Sequence, residues 1–225
     1  MVPALMADGL SKDRRCGRAN SGLAPVRRVW QGFRMAEVKS TFMLRPGDPV
    51  PDFKLPDATG KLHSRAEAAG ERGMLVVFAC NHCPFVVHVA AALGDLAAEL
   101  AEDGVGTVAI NANDLGRYPQ DGPGEMLEFA AKYGWDFPYL LDESQQTAKA
   151  FGAACTPDFF LIDADGCLFY AGQFDETRPR TVARAHGGDL REAARRLLAG
   201  ENPPARPLPS SGCNIKWKPG NEPAT

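Results

Sequence analysis

Two cysteines separated by two residues, Cys80 and Cys83, are the side chains in this sequence best suited to chemistry. They follow the continuously apolar segment 74–79, which predicts a strand covered on both faces, and they precede the Ala/Leu-rich segment 84–103, which predicts a helix. The N–H groups and dipole of a helix N-terminus stabilise a thiolate, which is the reactive form of cysteine. A second thiol one turn along can resolve a mixed disulfide. The pattern therefore predicts a redox-active dithiol.

The other segments predict an α/β domain that positions this dithiol. Further strands are predicted at 107–113, 137–142, 159–163 and 167–171, and further helices at 125–133, 145–151 and 190–198. The turn at 164–166 joins the last two strands into a hairpin. Strand–helix–strand–helix, followed by an antiparallel hairpin and a closing helix, predicts a mixed sheet with helices on both faces.

Composition narrows the class of protein and its partners. The chain has 225 residues, of which 24% are charged and 44% are apolar, as in a soluble globular domain with extensions. The net charge of −3 gives no reason to expect nucleic acid or an anionic membrane as a partner. No segment is predicted to span a membrane and no secretory signal is recognised, so we expect a cytoplasmic protein. There, six cysteines are more often catalytic, buried or metal-binding than structural disulfides.

Both ends of the chain are predicted to lie outside the α/β domain at 42–200. Residues 1–41 are expected to be a disordered or non-native leader, because the first 34 residues hold seven Lys/Arg against two Asp/Glu without any periodicity. We expect Met35 to be the natural first residue. Residues 201–225 contain six prolines and little apolar content, which predicts an extended tail.

Four segments match a known pattern. They are Phe-Ala-Cys-Asn-His-Cys-Pro at 78–84, Gly-Ala-Ala-Cys-Thr-Pro-Asp-Phe-Phe-Leu at 152–161, Pro-Val-Pro-Asp-Phe at 49–53 and Gly-Cys-Asn-Ile-Lys-Trp at 212–217. With them the chain resembles the thioredoxin superfamily, and more closely its peroxiredoxin-like (AhpC/TSA, redoxin) branch, over about residues 42–218. The resemblance implies a thioredoxin-like three-layer sandwich, in which helices cover both faces of a central mixed β-sheet.

The resemblance also implies roles for individual residues. Cys80 would be the exposed attacking cysteine and Cys83 the buried resolving one. Pro157 would be a cis-proline facing the dithiol, and it would place the backbone of Thr156 where a substrate polypeptide can pair as a strand. His82 occupies the position of the histidine in a strongly oxidising relative, so we expect it to lower the pKa of Cys80 and make this residue substantially thiolate at neutral pH.

Two more cysteines are candidates for redox chemistry. Cys155 would lie near the dithiol, either as a further redox group or as a small buried hydrophobe. Cys213 follows a tail segment that resists regular structure, with Ile215 and Trp217 as apolar anchors. It either reaches the active-site face and exchanges disulfides with Cys80 or is an exposed loop thiol.

The predicted function is thiol–disulfide oxidoreduction without an organic cofactor or metal. The partners would be a disulfide- or thiol-containing protein or small thiol, together with a dithiol electron donor. A peroxiredoxin-type thiol peroxidase is the alternative within the same class. Its Pro-x-x-x-Thr/Ser-x-x-Cys motif would align with Cys83, which puts Cys80 at the hydroxyl position and Val76 at the proline position. The hydroxyl that activates peroxide is therefore missing.

An alternative of another class is a redox- or zinc-responsive binding module without turnover. Cys80 and Cys83 could form half of a zinc site, since Cys-x-x-Cys is a common half-site. The other half would have to come from Cys155, Cys167, Cys213, His63, His88 or His186. None of these residues is paired at short ligand spacing, which argues against zinc.

Overall fold

The computed structural model describes residues 37–223. Within this range, strands β1 to β10 span Glu37–Lys39, Lys54–Pro56, Leu62–Ser64, Gly73–Phe78, Val105–Asn111, Tyr139–Leu141, Cys155–Thr156, Asp158–Asp163, Leu168–Gly172 and Ser211–Asn214. Helices α1 to α5 span Arg65–Ala68, Pro84–Glu102, Pro123–Tyr133, Gln146–Phe151 and Gly188–Leu198, and a 3-10 turn at Pro119–Asp121 precedes α3. The predicted order of elements from the first core strand to the closing helix is confirmed.

The central sheet is mixed. Strand β4 pairs antiparallel with β8, with Val76 opposite Phe160, and β8 pairs antiparallel with β9. On the other side β5 lies beside β4, where the Ala79 N–H donates to the Ile110 carbonyl at 3.0 Å, and β5 pairs in parallel with β6. The sheet therefore contains both pairing directions, as the order of elements predicts.

Each face of β4 packs into a different core. Leu75 and Val77 belong to the core formed with α2, α3 and α5. Met74, Val76 and Phe78 belong to a second core, which includes residues of α4. Because successive side chains of a strand point to opposite faces, this alternation places helices on both sides of the sheet. The three-layer arrangement explains why the β4 segment is apolar throughout.

Helix α2 is long and apolar enough, by length and composition alone, to cross a bilayer, which the sequence analysis does not anticipate. It buries Val86, Val89, Leu93 and Leu100 in the first core. That packing is typical of an amphipathic core helix in a globular domain.

Two short strands lie in the segments that the sequence assigns to the leader and the tail. Strand β1 pairs with β10, and β10 pairs with β7, both antiparallel. Strand β1 therefore lies within the predicted leader, at 37–39, and β10 lies within the predicted extended tail, at 211–214. Strands this short carry no periodic signal and are stable only through their partners. The rest of the predicted leader, with the proposed start at Met35, lies outside the described residues.

Candidate active site at the end of strand β4

The dithiol lies between β4 and α2, as predicted. Cys83 is the N-cap of α2 and Pro84 is its first residue, a position that suits proline because its N–H would have no helical partner. Cys83 is therefore the cysteine nearest the helix N-terminus. The side chains are enclosed, with Cys80 1% and Cys83 0% exposed. The prediction that Cys80 is exposed is wrong for this conformation.

Both sulfurs converge on Thr156. The Sγ of Cys80 is 3.4 Å from the Thr156 hydroxyl, and the Sγ of Cys83 is 3.0 Å from the Thr156 carbonyl oxygen. The bond between Thr156 and Pro157 is cis, as predicted. However, Thr156 is buried and its backbone pairs with Cys213 in β10. The edge predicted to receive a substrate polypeptide is therefore occupied by the chain itself.

Strand β10 carries Cys213 to the dithiol. Its sulfur lies 2.9 Å from that of Cys83. Cys213 is 1% exposed, so it is not an exposed loop thiol. The predicted approach of the tail to the active-site face is present, but the structure brings Cys213 to Cys83 instead of Cys80. The pairing register decides this, since Cys213 stands opposite Thr156.

The second candidate cysteine, Cys155, lies in a different environment. It is buried, and its sulfur donates to the carbonyl of Pro157 at 3.5 Å. Burial raises the pKa of the Cys155 thiol, and the charge of Asp158 adds to this effect. A neutral buried thiol is poorly reactive. Of the two alternatives, these surroundings favour the small buried hydrophobe.

Asp121 is a residue of the site that sequence reasoning missed. Its carboxylate is fully buried and accepts hydrogen bonds from the Asn81 amide at 2.8 Å, His82 Nδ1 at 2.7 Å and Asn113 Nδ2 at 2.9 Å. The ring of Tyr118, from the same loop, stacks on His82 at a centroid distance of 5.4 Å. The long loop was visible in the sequence, but no local signal linked it to residues 40 positions earlier.

The two thiols of the dithiol differ in acidity. The pKa of Cys80 is raised by burial, by its hydrogen bond with Cys83 and by the charge of Asp121. Burial also opposes ionisation of Cys83, but hydrogen bonds from Cys213 and Cys80 outweigh it and lower the pKa of Cys83. The closed structure thus favours a thiolate at Cys83. The predicted thiolate at Cys80 is therefore wrong in this structure, because burial, the hydrogen bond with Cys83 and the charge of Asp121 all raise the pKa of Cys80.

The zinc-binding alternative requires Cys80 and Cys83 to lie near further side chains that can bind a metal ion. Cys80, His82 and Asp121 have ligand atoms within 4.8 Å of one another, although neither His82 nor Asp121 was a predicted ligand. The predicted histidine candidates bond elsewhere: His63 to Asp57, His88 to Thr177 and His186 to Glu176. The predicted set is therefore not assembled, apart from Cys213.

Comparison with known proteins identifies the family. Residues 45–187, more than half of the chain, match the family model described as Redoxin. The chain belongs to the redoxin family. This redoxin is 30% identical to peroxiredoxin Bcp of Escherichia coli (strain K12) over 135 residues. The alignment covers 55% of this chain and 81% of Bcp. It is 28% identical over 121 residues to thiol-disulfide oxidoreductase ResA of Geobacillus thermodenitrificans (strain NG80-2), covering 53% of this chain and 64% of ResA.

A solved structure is also similar. The crystal structure of an uncharacterized conserved protein from Geobacillus kaustophilus aligns with a TM-score of 0.79 and 42% identity, over 83% of this redoxin and 98% of that chain. The family and the fold predicted from sequence are confirmed: this redoxin has the thioredoxin-like α/β fold and belongs to the peroxiredoxin-like branch. It is an oxidoreductase of the thiol–disulfide class.

Proposed function

We propose that this redoxin exchanges disulfides with a protein or small-thiol substrate through Cys80 and Cys83. The observation that carries the proposal is the convergence of both sulfurs on Thr156, at 3.4 Å and 3.0 Å, where β4 meets the N-terminus of α2. Two thiols so placed can form one bond between them without moving either element far. Such a pair transfers two electrons without a further cofactor.

The proposed reaction begins when the Cys80 thiolate attacks one sulfur of a substrate disulfide. A mixed disulfide forms and the other substrate sulfur leaves, taking up a proton. The Cys83 thiolate then attacks Cys80, which releases the second substrate thiol and leaves a Cys80–Cys83 disulfide. The substrate has gained the two electrons that the dithiol lost. An external dithiol protein or small thiol restores the reduced pair by the reverse steps.

We infer that the loop 114–122 moves to give a substrate access to Cys80. The loop lies against the dithiol segment, because Asp121 accepts from the Asn81 amide and the Gln120 carbonyl accepts from the Asn81 side chain at 3.2 Å. Burial and the charge of Asp121 are two of the causes that raise the pKa of Cys80. Displacing the loop therefore exposes Cys80 and favours its thiolate in one movement.

The test is reduction of insulin disulfides with dithiothreitol as the electron donor. Wild-type protein is expected to accelerate the reaction, whereas Cys80→Ser and Cys83→Ser lose the acceleration. Cys167→Ser is the matched control, because Cys167 lies beside Asp163, at the end of β8 opposite from the dithiol. Equal rates in wild type and both dithiol variants contradict the proposal. Stoichiometric zinc binding without turnover supports the binding module instead.

A second candidate is thiol peroxidase activity. It is favoured by the 30% identity with peroxiredoxin Bcp and by the lowered pKa of Cys83, the residue that aligns with the peroxide-reactive cysteine. Against it, the Thr156 hydroxyl contacts Cys80, whereas the contact that Cys83 makes with Thr156 is to the carbonyl oxygen. Trapping of a Cys83 sulfenate with dimedone, together with peroxide consumption faster than insulin reduction, would identify this redoxin as a peroxidase.

A further inference from the structure

The C-terminal strand β10 lies on the dithiol in the manner expected of a thiol substrate. Its backbone pairs antiparallel with β7, with Cys213 opposite Thr156. The approach is close: a Cβ on Gly212 would lie 2.1 Å from the Thr156 carbonyl oxygen, so only glycine fits there. Main-chain pairing of this kind is how extended peptides bind a sheet edge. The chain thus presents its own cysteine to the active site.

The sulfurs of Cys213 and Cys83 are already near bonding distance. They are 2.9 Å apart, and a disulfide of about 2.05 Å would need them to approach by only about 0.9 Å. The Sγ of Cys80 contacts the Thr156 hydroxyl on its own side. Cys83 thus has two sulfur neighbours, Cys80 in the dithiol and Cys213 in β10.

We propose that Cys213 is a third redox-active cysteine, which displaces Cys80 from the Cys80–Cys83 disulfide and bonds to Cys83; the inference rests on the proposed function. The Cys213 thiolate attacks Cys83, the Cys83–Cys213 bond forms and the Cys80–Cys83 bond breaks. Cys80 leaves as a thiolate and takes up the proton that Cys213 lost. No electrons are gained or lost, so the step needs no further oxidant.

The surroundings of Cys213 support this step. In the reduced protein its hydrogen bond to Cys83 is the largest cause of a raised Cys213 pKa, followed by burial. Once Cys83 is bonded to Cys80, that thiolate partner no longer exists, while Lys216 still favours the Cys213 thiolate. The exchange moves the disulfide off Cys80, the cysteine that movement of the loop is proposed to expose, onto Cys213, which is buried in β10, and it returns Cys80 as a free thiol. This redoxin would then store oxidising equivalents away from solvent thiols.

The test is disulfide mapping of full-length Cys80→Ser protein after oxidation with diamide and alkylation of the remaining thiols. Trypsin places Cys83 in peptide 73–117 and Cys213 in peptide 197–216, because Arg206 precedes a proline. We expect these peptides to be linked in Cys80→Ser and in the matched Cys80→Ser/Cys167→Ser control. The link is lost in Cys80→Ser/Cys213→Ser. Recovery of alkylated Cys213 from oxidised, folded Cys80→Ser overturns the inference.

Two further variants keep the inference separate from the proposed function. If the Cys80→Ser variant does not fold, the same mapping is done with Cys80→Ala. Cys83→Ser is expected to give no linked peptides, and a link there would mean that Cys213 pairs with Cys80 instead. Reversible Cys80–Cys83 oxidation in Cys213→Ser without any Cys83–Cys213 link in Cys80→Ser overturns this inference alone. A Cys83–Cys213 link in Cys80→Ser without reversible Cys80–Cys83 oxidation in Cys213→Ser overturns the proposed function.

Discussion

His82 Nδ1 donates a hydrogen bond to the Asp121 carboxylate at 2.7 Å, although the two residues are 39 positions apart. The same carboxylate accepts from the backbone amide of Asn81. Asp121 therefore holds both residues between the two cysteines of the dithiol. His82 Nε2 is buried and has no hydrogen-bond partner among residues 37–223. The hydrogen bond to Asp121 therefore fixes the orientation of the histidine ring through Nδ1 alone.

Replacing Asp121 by Asn is expected to lower the pKa of Cys80. The negative charge of Asp121 is one of the causes that raise this pKa, after burial and the hydrogen bond with Cys83. Removing this nearby like charge should therefore lower the pKa of Cys80. The measurement is the pH dependence of iodoacetamide alkylation at Cys80, resolved by fragment mass spectrometry. Asp114→Asn, in the same loop, is the control, and an unchanged or higher Cys80 pKa in Asp121→Asn would contradict the argument.

Gly212→Ala is expected to displace β10 from β7. The new Cβ would meet the Thr156 carbonyl oxygen at 2.1 Å, and backbone cannot yield as a side chain can. Overpacking of this kind costs about 1–3 kcal/mol of unfolding free energy. Urea unfolding measures the loss, and the yield of linked Cys83 and Cys213 should fall with it. Gly124→Ala in α3 meets nothing within 4 Å and should not destabilise the protein. Equal stability of both variants would show that β10 is not held closely.

The stability of this redoxin should fall as the pH rises from about 4 to 6, because of Asp158. Burial raises the pKa of this carboxyl from 3.8 to about 6 in the folded protein, even though the Ser40 hydroxyl donates to it. The folded state therefore binds the proton more tightly than the unfolded chain, and its advantage is lost on ionisation. The total effect is about 3 kcal/mol.

The measurement is urea unfolding of wild type and Asp158→Asn across this pH range. Asparagine keeps the shape of the side chain and cannot ionise, so the difference between the two stability curves isolates Asp158. A wild-type curve that runs parallel to that of Asp158→Asn between pH 4 and 6 would refute the assignment.

Gln145→Ala is expected to loosen the end of the tail. The Gln145 amide donates to the Ala112 carbonyl at 2.7 Å and to the Lys216 carbonyl at 3.0 Å, and its oxygen accepts from the Lys218 amide at 2.8 Å. Without the Gln145 side chain these backbone groups lose their hydrogen-bond partner, which lowers the free energy of unfolding by about 1–3 kcal/mol. Limited proteolysis with trypsin should then cut after Lys216 sooner than in wild type. Gln146→Ala, on the exposed side of α4, is the control; equal cleavage of all three proteins would show that Gln145 does not anchor the tail.

The strands and helices of the central domain could be predicted because their signals are local. The segment 74–79 is apolar throughout, and the structure places it largely in β4 between two cores. The Ala-Asp-Gly turn likewise predicts the hairpin of β8 and β9. The short strands β1 and β10 could not be predicted, because runs of three or four residues are too short to show a period and depend on pairing with distant parts of the chain.

The resemblance to the thioredoxin superfamily implied that Thr156-Pro157 faces the dithiol. The sequence by itself determined the dithiol, its place between strand and helix and the order of the elements. These depend on neighbouring residues and on the handedness of chain connections. Only the tertiary structure decided that Asp121 reaches His82, that Cys80 is enclosed and that Cys213 meets Cys83. Each of these depends on loop closure and strand register across tens of residues, which no local pattern encodes.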